Sequence, residues 1–393
     1  MKKFLSFILV IAIVIAGVYF YNNYTGNPVG EYLSMQDKSI TTTVADSQAE
    51  KAEKDVELLI KNTLDDEEKQ LYDTIYSGLS TLDKSINIGL NTDVNDAFHI
   101  LRLITCDHPE LFWVTGNCSY SAGRIMPEYY YSKEEAEIIS KEISETAEDI
   151  YKRINPQGDD YSKSLAIFDY ITLNTSYDHN AVQNLNENHT ATTIEGVFLN
   201  GKAVCSGYAK AYQYLLMMSS ISSAYITGTA DTPTESGSHA WTVQKNDGEF
   251  YHTDITWADS YENSTQNDFV SHTYFCITEE EILKTHKIDS DIPHFICTET
   301  KDNYFNRQSL CFENYSQSDI RTAVKNNYKT CKGLELKFKN KSAFDEAKTD
   351  LIDNSNIYII LKSVDPFSKT INSNQISYNF DDTHNIIMII FSK

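Results

Sequence analysis

The stretch "GVFLNGKAVCSGYAKAYQYLL", residues 196–216, admits two readings that lead to different proteins. Gly196, Gly201 and Lys202 have the G-x-x-x-x-G-K spacing of a phosphate-cradling loop. Such a loop needs a Ser or Thr after the lysine to hold magnesium, and the residue here is Ala203. It also follows a buried strand, whereas "ENHTATTIE" before it is polar and reads as loop. The nucleotide reading fails on both counts. In the other reading Cys205 opens a helix, "CSGYAKAYQYLLMM", with Tyr208, Tyr212 and Leu215 on one face. Unsatisfied N–H groups and the positive end of the dipole at a helix start both favour a thiolate. Gly207 is then expected to leave room for a substrate. A small buried core cysteine is the ordinary alternative.

The segments downstream favour a working thiol. "GSHAWTVQ" places His239 34 residues after Cys205, and "EFYHTDITW" places Asp254 15 residues further on. "SAYITGTA", "HAWTVQK" and "EFYHTDITW" are short runs rich in aromatic and β-branched residues, and "NDGE" between the last two is a hairpin signal. His239 follows "ESGS", a flexible run, and starts a strand with Trp241 on the same face, where it can act as general base and then acid. Asp254 ends the neighbouring strand, from which it can orient the imidazole. His252 competes for the role of base, but two residues from Asp254 on one strand it points outward in parallel with it. A cysteine helix on an antiparallel sheet carrying His and Asp is an α+β arrangement.

Charge and the N-terminus bound the setting. Phe4–Tyr21 is an apolar run of 18 residues, roughly 27 Å as a helix, just enough for a bilayer core. Lys2 and Lys3 precede it and the next cation is Lys38, so the N-terminus is expected inside the cell and the rest outside. A cleaved signal peptide, and hence a secreted protein, is the alternative. The net charge of −23 excludes the Lys/Arg surplus that nucleic-acid binding needs. Seven cysteines, Cys106, Cys118, Cys205, Cys276, Cys297, Cys311 and Cys331, imply one working thiol and up to three disulfides outside the membrane. Cys106 with Cys118 would close a short loop. No C-x-x-C or H-E-x-x-H occurs, so no zinc site is expected.

The chain then divides as follows: residues 1–21 a transmembrane anchor or signal, 22–45 a polar tether, 46–158 a mostly helical region, 159–313 the catalytic domain, and 314–393 a small α/β domain. Within the helical region, "DVNDAFHILRLI" spaces Val94, Phe98, Ile100 and Leu101 for burial, and Ser132 with Glu135 forms a capping box for a helix running to Ile154. "SKSLAIFDYITLNT" is a further helix with Leu165, Phe168 and Ile171 on one face. In the last domain "GLELKFK", "NIYIILKS", "QISYNF" and "NIIMIIF" read as strands and "SAFDEAKTDLI" as a helix.

The stretches "GKAVCSGYAKAY", "GSHAWTVQ" and "YHTDITW" together resemble the transglutaminase-like superfamily of cysteine enzymes, over about residues 160–260 and including "FDYITLNTSYD" upstream. More weakly, "DHPELFWVTGNCSY" resembles the segment before this core in exported bacterial members. The resemblance implies a papain-like core with Cys205 as nucleophile, His239 as base and Asp254 as orienting acid. Tyr208, Trp241 and Trp257 are expected to wall the substrate site, and the Cys205 backbone N–H is the one oxyanion donor that can be named. No D-x-[DN]-x-[DN]-G loop is present, so neither calcium nor any other cofactor is implied. Superfamily members include cross-linkers, proteases, amidases and inactive scaffolds. The leading expectation is a membrane-anchored enzyme acting on a protein or peptide, cell-wall peptide included, through a thioester, with water preferred to an amine as acceptor. The rival is a non-catalytic surface-binding module on the same fold.

Overall fold

A computed structural model of the chain describes residues 56–231, 236–259, 269–327, 333–365 and 376–391. The apolar run 4–21, the tether 22–45 and Cys331 lie outside the described residues. No described helix is long and apolar enough to cross a membrane.

Helices α1 (Leu59–Thr63) and α2 (Asp66–Ser80) come first, α2 opening on a reciprocal cap between Asp65 and Glu68. After β1 (Ile86–Asn87), α3 (Val94–Asp107) buries Ala97, Ile100, Leu101 and Ile104, an i, i+3, i+4, i+7 stripe. Phe98 lies beside that stripe, not on it, and is 37% exposed, which corrects its expected burial. The region is also less helical than the sequence implies. β2 (Val114–Ser121) and β3 (Arg124–Tyr129) form an antiparallel hairpin in a sheet of order β1-β3-β2. Its turn is Ala122–Gly123, both at positive φ, the primed geometry that matches strand twist. α4 (Lys133–Ile154) carries the capping box of Ser132 and Glu135, and α5 (Asp160–Asn174) buries Phe168 and Ile171 with Leu165 at the core's edge.

A short parallel pair, β4 (Ser176–Tyr177) and β5 (Lys202–Ala203), brackets α6 (Ile194–Phe198) and feeds the cysteine helix α7 (Cys205–Met218). Tyr208, Tyr212 and Leu215 on α7 are fully buried. They face an antiparallel sheet of order β8-β7-β6-β9, built from β6 (Ser222–Asp231), β7 (Ser236–Asn246), β8 (Glu249–Thr253) and β9 (His286–Ile288). The Tyr212 hydroxyl donates to Gln244 Oε1 at 2.7 Å, and the Thr242 hydroxyl to the Ala209 carbonyl at 3.3 Å, fastening helix to sheet. The β7–β8 hairpin closes on Asp247–Gly248, both at positive φ. β7 begins at Ser236, so "SGS" before His239 is paired strand and not the flexible run expected there.

Short helices α8 (Glu279–Ile282) and α9 (Tyr304–Arg307) flank the passage to the last part of the chain. There β10 (Cys311–Phe312), α10 (Gln317–Asn327), β11 (Gly333–Phe338), α11 (Lys341–Lys348), α12 (Asn356–Val364), β12 (Ile376–Asp381) and β13 (Ile386–Phe391) enclose a separate core around Leu336, Phe344, Ile360 and Ile387. The sheet order is β10-β11-β13-β12. α12 replaces the strand expected for "NIYIILKS": it buries Ile357, Ile360 and Leu361 and leaves Ile359 61% exposed, a helical spacing that a short apolar run disguises.

The six described cysteines are all free, which corrects the expected disulfides. Cys106 is buried on α3 with its thiol on the Arg102 carbonyl, while the Cys118 thiol on β2 bonds to the Ser119 carbonyl.

Candidate active site

β5 runs directly into α7, so Cys205 is the first helical residue, half-buried, and Val204 before it supplies no side-chain cap. Gly207 does not make room for a substrate. A Cβ there would stand 2.5 Å from the Ala191 carbonyl and 2.8 Å from the Ala203 Cβ, so the glycine lets the helix lie against the 190–193 backbone. Gly196 serves a similar end, its absent Cβ 2.7 Å from the Lys202 carbonyl. Gly196 is thus required by packing, and Gly201 by its positive φ of 62°, which accounts for the two glycines that imitate a phosphate loop.

β7 presents His239 and β8 ends just before Asp254, whose backbone N–H donates to the Tyr274 carbonyl at 2.9 Å. His239 Nε2 lies 2.8 Å from Asp254 Oδ2. Cys205, at the start of α7, lies near enough to the same ring to act on its protonation. Asp254 Oδ1 accepts from the backbone N–H groups of Thr256 at 2.9 Å and Trp257 at 3.4 Å. Cys205, His239 and Asp254 thus gather at one place from the start of α7, from β7 and from the end of β8.

Burial disfavours a charged imidazole, but the Asp254 carboxylate and the Cys205 thiol outweigh it and push His239 up to about 10. Burial likewise opposes ionisation of Asp254, yet His239 and His286 hold it well below the usual carboxylate range. His252 is different. Burial pulls it down to about 3, and its Nδ1 accepts from Trp241 Nε1 at 3.0 Å.

His286 is the residue that the sequence reading missed. From β9 its Nε2 reaches Asp254 Oδ2 at 3.1 Å, fully buried, with its ring centre 5.3 Å from that of His239. β9 approaches because β6 carries Gly228, where a Cβ would stand 2.0 Å from the Lys287 carbonyl and 2.9 Å from the Trp241 ring. A glycine inside "SAYITGTA" was the available signal, since an interior strand glycine marks a close backbone approach.

The side chains expected to wall the site are placed differently. Tyr208 and Trp241 are completely buried and belong to the core between α7 and the sheet, which corrects their expected contact with substrate. Trp257 is half-buried, its ring 5.8 Å from His239 and 4.7 Å from His286. His239, Asp254 and His286 bring donor atoms within 4.8 Å of one another, a spacing a divalent ion could span. Both ring nitrogens address one carboxylate oxygen at hydrogen-bonding distance, however, so the cluster reads as a hydrogen-bonded chain.

Residues 148–258 match the family model of the transglutaminase-like superfamily. No curated protein matches the chain. Two solved structures are similar over part of their length. One is described as "a TGase", with 17% identity, 35% of this chain and 36% of that chain covered, and a TM-score of 0.28. The other is described as "a Putative Cysteine Protease from Cytophaga hutchinsonii", with 24% identity, 29% and 37% covered, and a TM-score of 0.25. The chain therefore spans little more than a third of the length of either.

Proposed function

We propose, from the transglutaminase-like domain that residues 148–258 form, that this protein is a cysteine enzyme attacking a peptide or carboxamide carbonyl through Cys205. The observation that carries the reading is the 2.8 Å pair of His239 with the buried Asp254, with Cys205 at the helix start acting on the same imidazole. A protonated His239 beside sulfur is the arrangement in which a cysteine attacks as thiolate. Sulfur adds to the carbonyl carbon, the oxyanion draws on the amide N–H at the start of α7, and His239 protonates the departing amine or ammonia. The resulting thioester then passes to water, activated by the now neutral imidazole.

Hydrolysis is favoured over cross-linking. A cross-linker must shield its thioester from water at an apolar tunnel. Tyr208 and Trp241, once candidates for such walls, are core residues, which leaves Trp257. The substrate is a protein or peptide outside the cell, and the run Phe4–Tyr21 anchors the enzyme to the membrane with the domain exposed. Incubation with a glutamine-containing protein and a labelled primary amine tests the reaction: ammonia or cleaved peptide without amine incorporation is expected, and incorporation outpacing release would establish cross-linking. No turnover with any acyl donor, together with an unreactive Cys205, would point to a binding module. Protease added to intact cells should remove residues beyond about 45; protein free in the medium and starting near residue 20 would show a cleaved signal instead.

A further inference from the structure

We infer that His286 is a positioning residue of this site: from β9 it holds the far side of the carboxylate that orients His239, so that Asp254 is gripped between two imidazoles. The inference rests on the Cys205–His239–Asp254 reading and extends it to a fourth residue. A carboxylate can only accept, so the nitrogen at 3.1 Å from Asp254 Oδ2 carries a proton toward it. The far nitrogen of His286 is held in turn by the Thr285 hydroxyl at 2.8 Å, and Thr285 by the Tyr274 hydroxyl at 3.2 Å. The ring has no freedom to swing: Trp257, Trp241 and Tyr274 enclose it with ring centres 4.7, 5.0 and 5.5 Å away.

This grip has a purpose that packing alone would not require. Asp254 is wholly buried and its Oδ1 is held by the Thr256 and Trp257 amides; with His239 alone on Oδ2, each proton movement on His239 would leave that oxygen open to take up a proton. A second donor on the same oxygen keeps Oδ2 ionised and fixed while His239 cycles between its two states. Among the described residues, the titratable groups that face this cluster are His239 from β7, Cys205 from α7 beyond it, His252 from β8, Tyr274 from the segment beside β8, and behind Tyr274 the ring of His384, 5.1 Å away. Among these groups and Asp254, the carboxylate is the acid on which the donors converge.

The test is the pH profile of Cys205 alkylation by iodoacetamide, read by mass spectrometry on the Cys205 peptide, for wild type, His286→Leu and His286→Gln. Loss of the donor in His286→Leu lets Asp254 protonate at higher pH, so the acid limb should move up by about one unit, near tenfold in rate on that limb. His286→Gln keeps an N–H donor and should restore most of the wild-type profile, which filling a core cavity would not do. A His286→Leu profile that superimposes on wild type, in a protein with native circular dichroism, overturns the inference alone. A wild-type Cys205 no more reactive than a free cysteine overturns the triad reading and this inference with it. Should His286→Leu fail to fold, Thr285→Val, which releases the far nitrogen, should shift the limb in the same direction, and no shift there overturns the inference.

Discussion

Asp254 is the most constrained residue of the site. It accepts two backbone amides on one oxygen and two imidazoles on the other, with no solvent contact. Removing one member of such a buried charged set leaves the others unpaired and costs about 3–5 kcal/mol. Asp254→Ala should therefore lower the urea midpoint sharply. Cys205→Ala, at the half-buried helix start, should leave the midpoint nearly unchanged while abolishing turnover. Equal stability of the two variants would show that the carboxylate is less committed than its contacts imply. His239 adds a pH signature. An unfolded histidine titrates near 6.5, and here the proton is held up to about 10. That preference contributes stability that is complete below pH 6.5 and disappears as pH rises through about 10. His239→Gln should flatten this alkaline fall in unfolding curves taken between pH 6 and 10.5.

Two glycines decide how elements meet. Gly228 on β6 lets β9 close, because any Cβ there runs into the Lys287 backbone. Gly228→Ala should thus displace β9 and reproduce the His286→Leu shift in alkylation, in addition to destabilising by about 1–3 kcal/mol. Gly207 on α7 is equally pressed, against the Ala191 carbonyl, and its alanine variant should lose Cys205 reactivity because the helix start must move. Gly237 is the control: nothing lies within 4 Å of its Cβ direction, so Gly237→Ala should be near neutral in both melting temperature and alkylation rate. Similar behaviour of Gly207→Ala and Gly237→Ala would show that α7 tolerates repositioning.

At the scale of the whole molecule, His272 ties three segments together. Its Nδ1 meets Glu335 on β11 at 2.8 Å, its Nε2 meets Asp169 on α5 at 3.0 Å, and its ring stacks on Tyr304 of α9 at 3.8 Å. Lys337 of β11 pairs with Glu281 of α8, a second tie between the two cores. Burial disfavours the charged ring, but the carboxylates of Asp169 and Glu335 prevail and push His272 up to about 10. Its folded value lies above the unfolded one, so its stabilisation is full below pH 6.5 and is lost as pH rises through about 10. His272→Leu should destabilise strongly at pH 6 and little at pH 10.5, measured by urea denaturation. An equal loss at both pH values would mean that the ring acts by packing alone.

What the amino-acid order determined by itself was local. The helix Cys205–Met218, the capping box of Ser132 and Glu135 and the Asp247–Gly248 turn each depend on residues a few positions apart, where propensity and hydrogen bonding act directly. Cys205, His239 and Asp254 could be picked out for the same reason, each sitting in a short stretch whose wording shows its element. Long-range packing decided the rest. Whether Tyr208 and Trp241 line a site or fill a core depends on which surfaces come together, and an aromatic ring suits both. "NIYIILKS" is apolar enough for a strand or a helix, and its burial in the core that it shares with α10 selects the helix. His286 reaches Asp254 because β9 pairs with β6 across a glycine, a contact between residues 32 positions apart. Hydrophobic periodicity reports which face of an element is buried, but it carries no information about the partner it is buried against, and the fourth residue of this site is set by the partner.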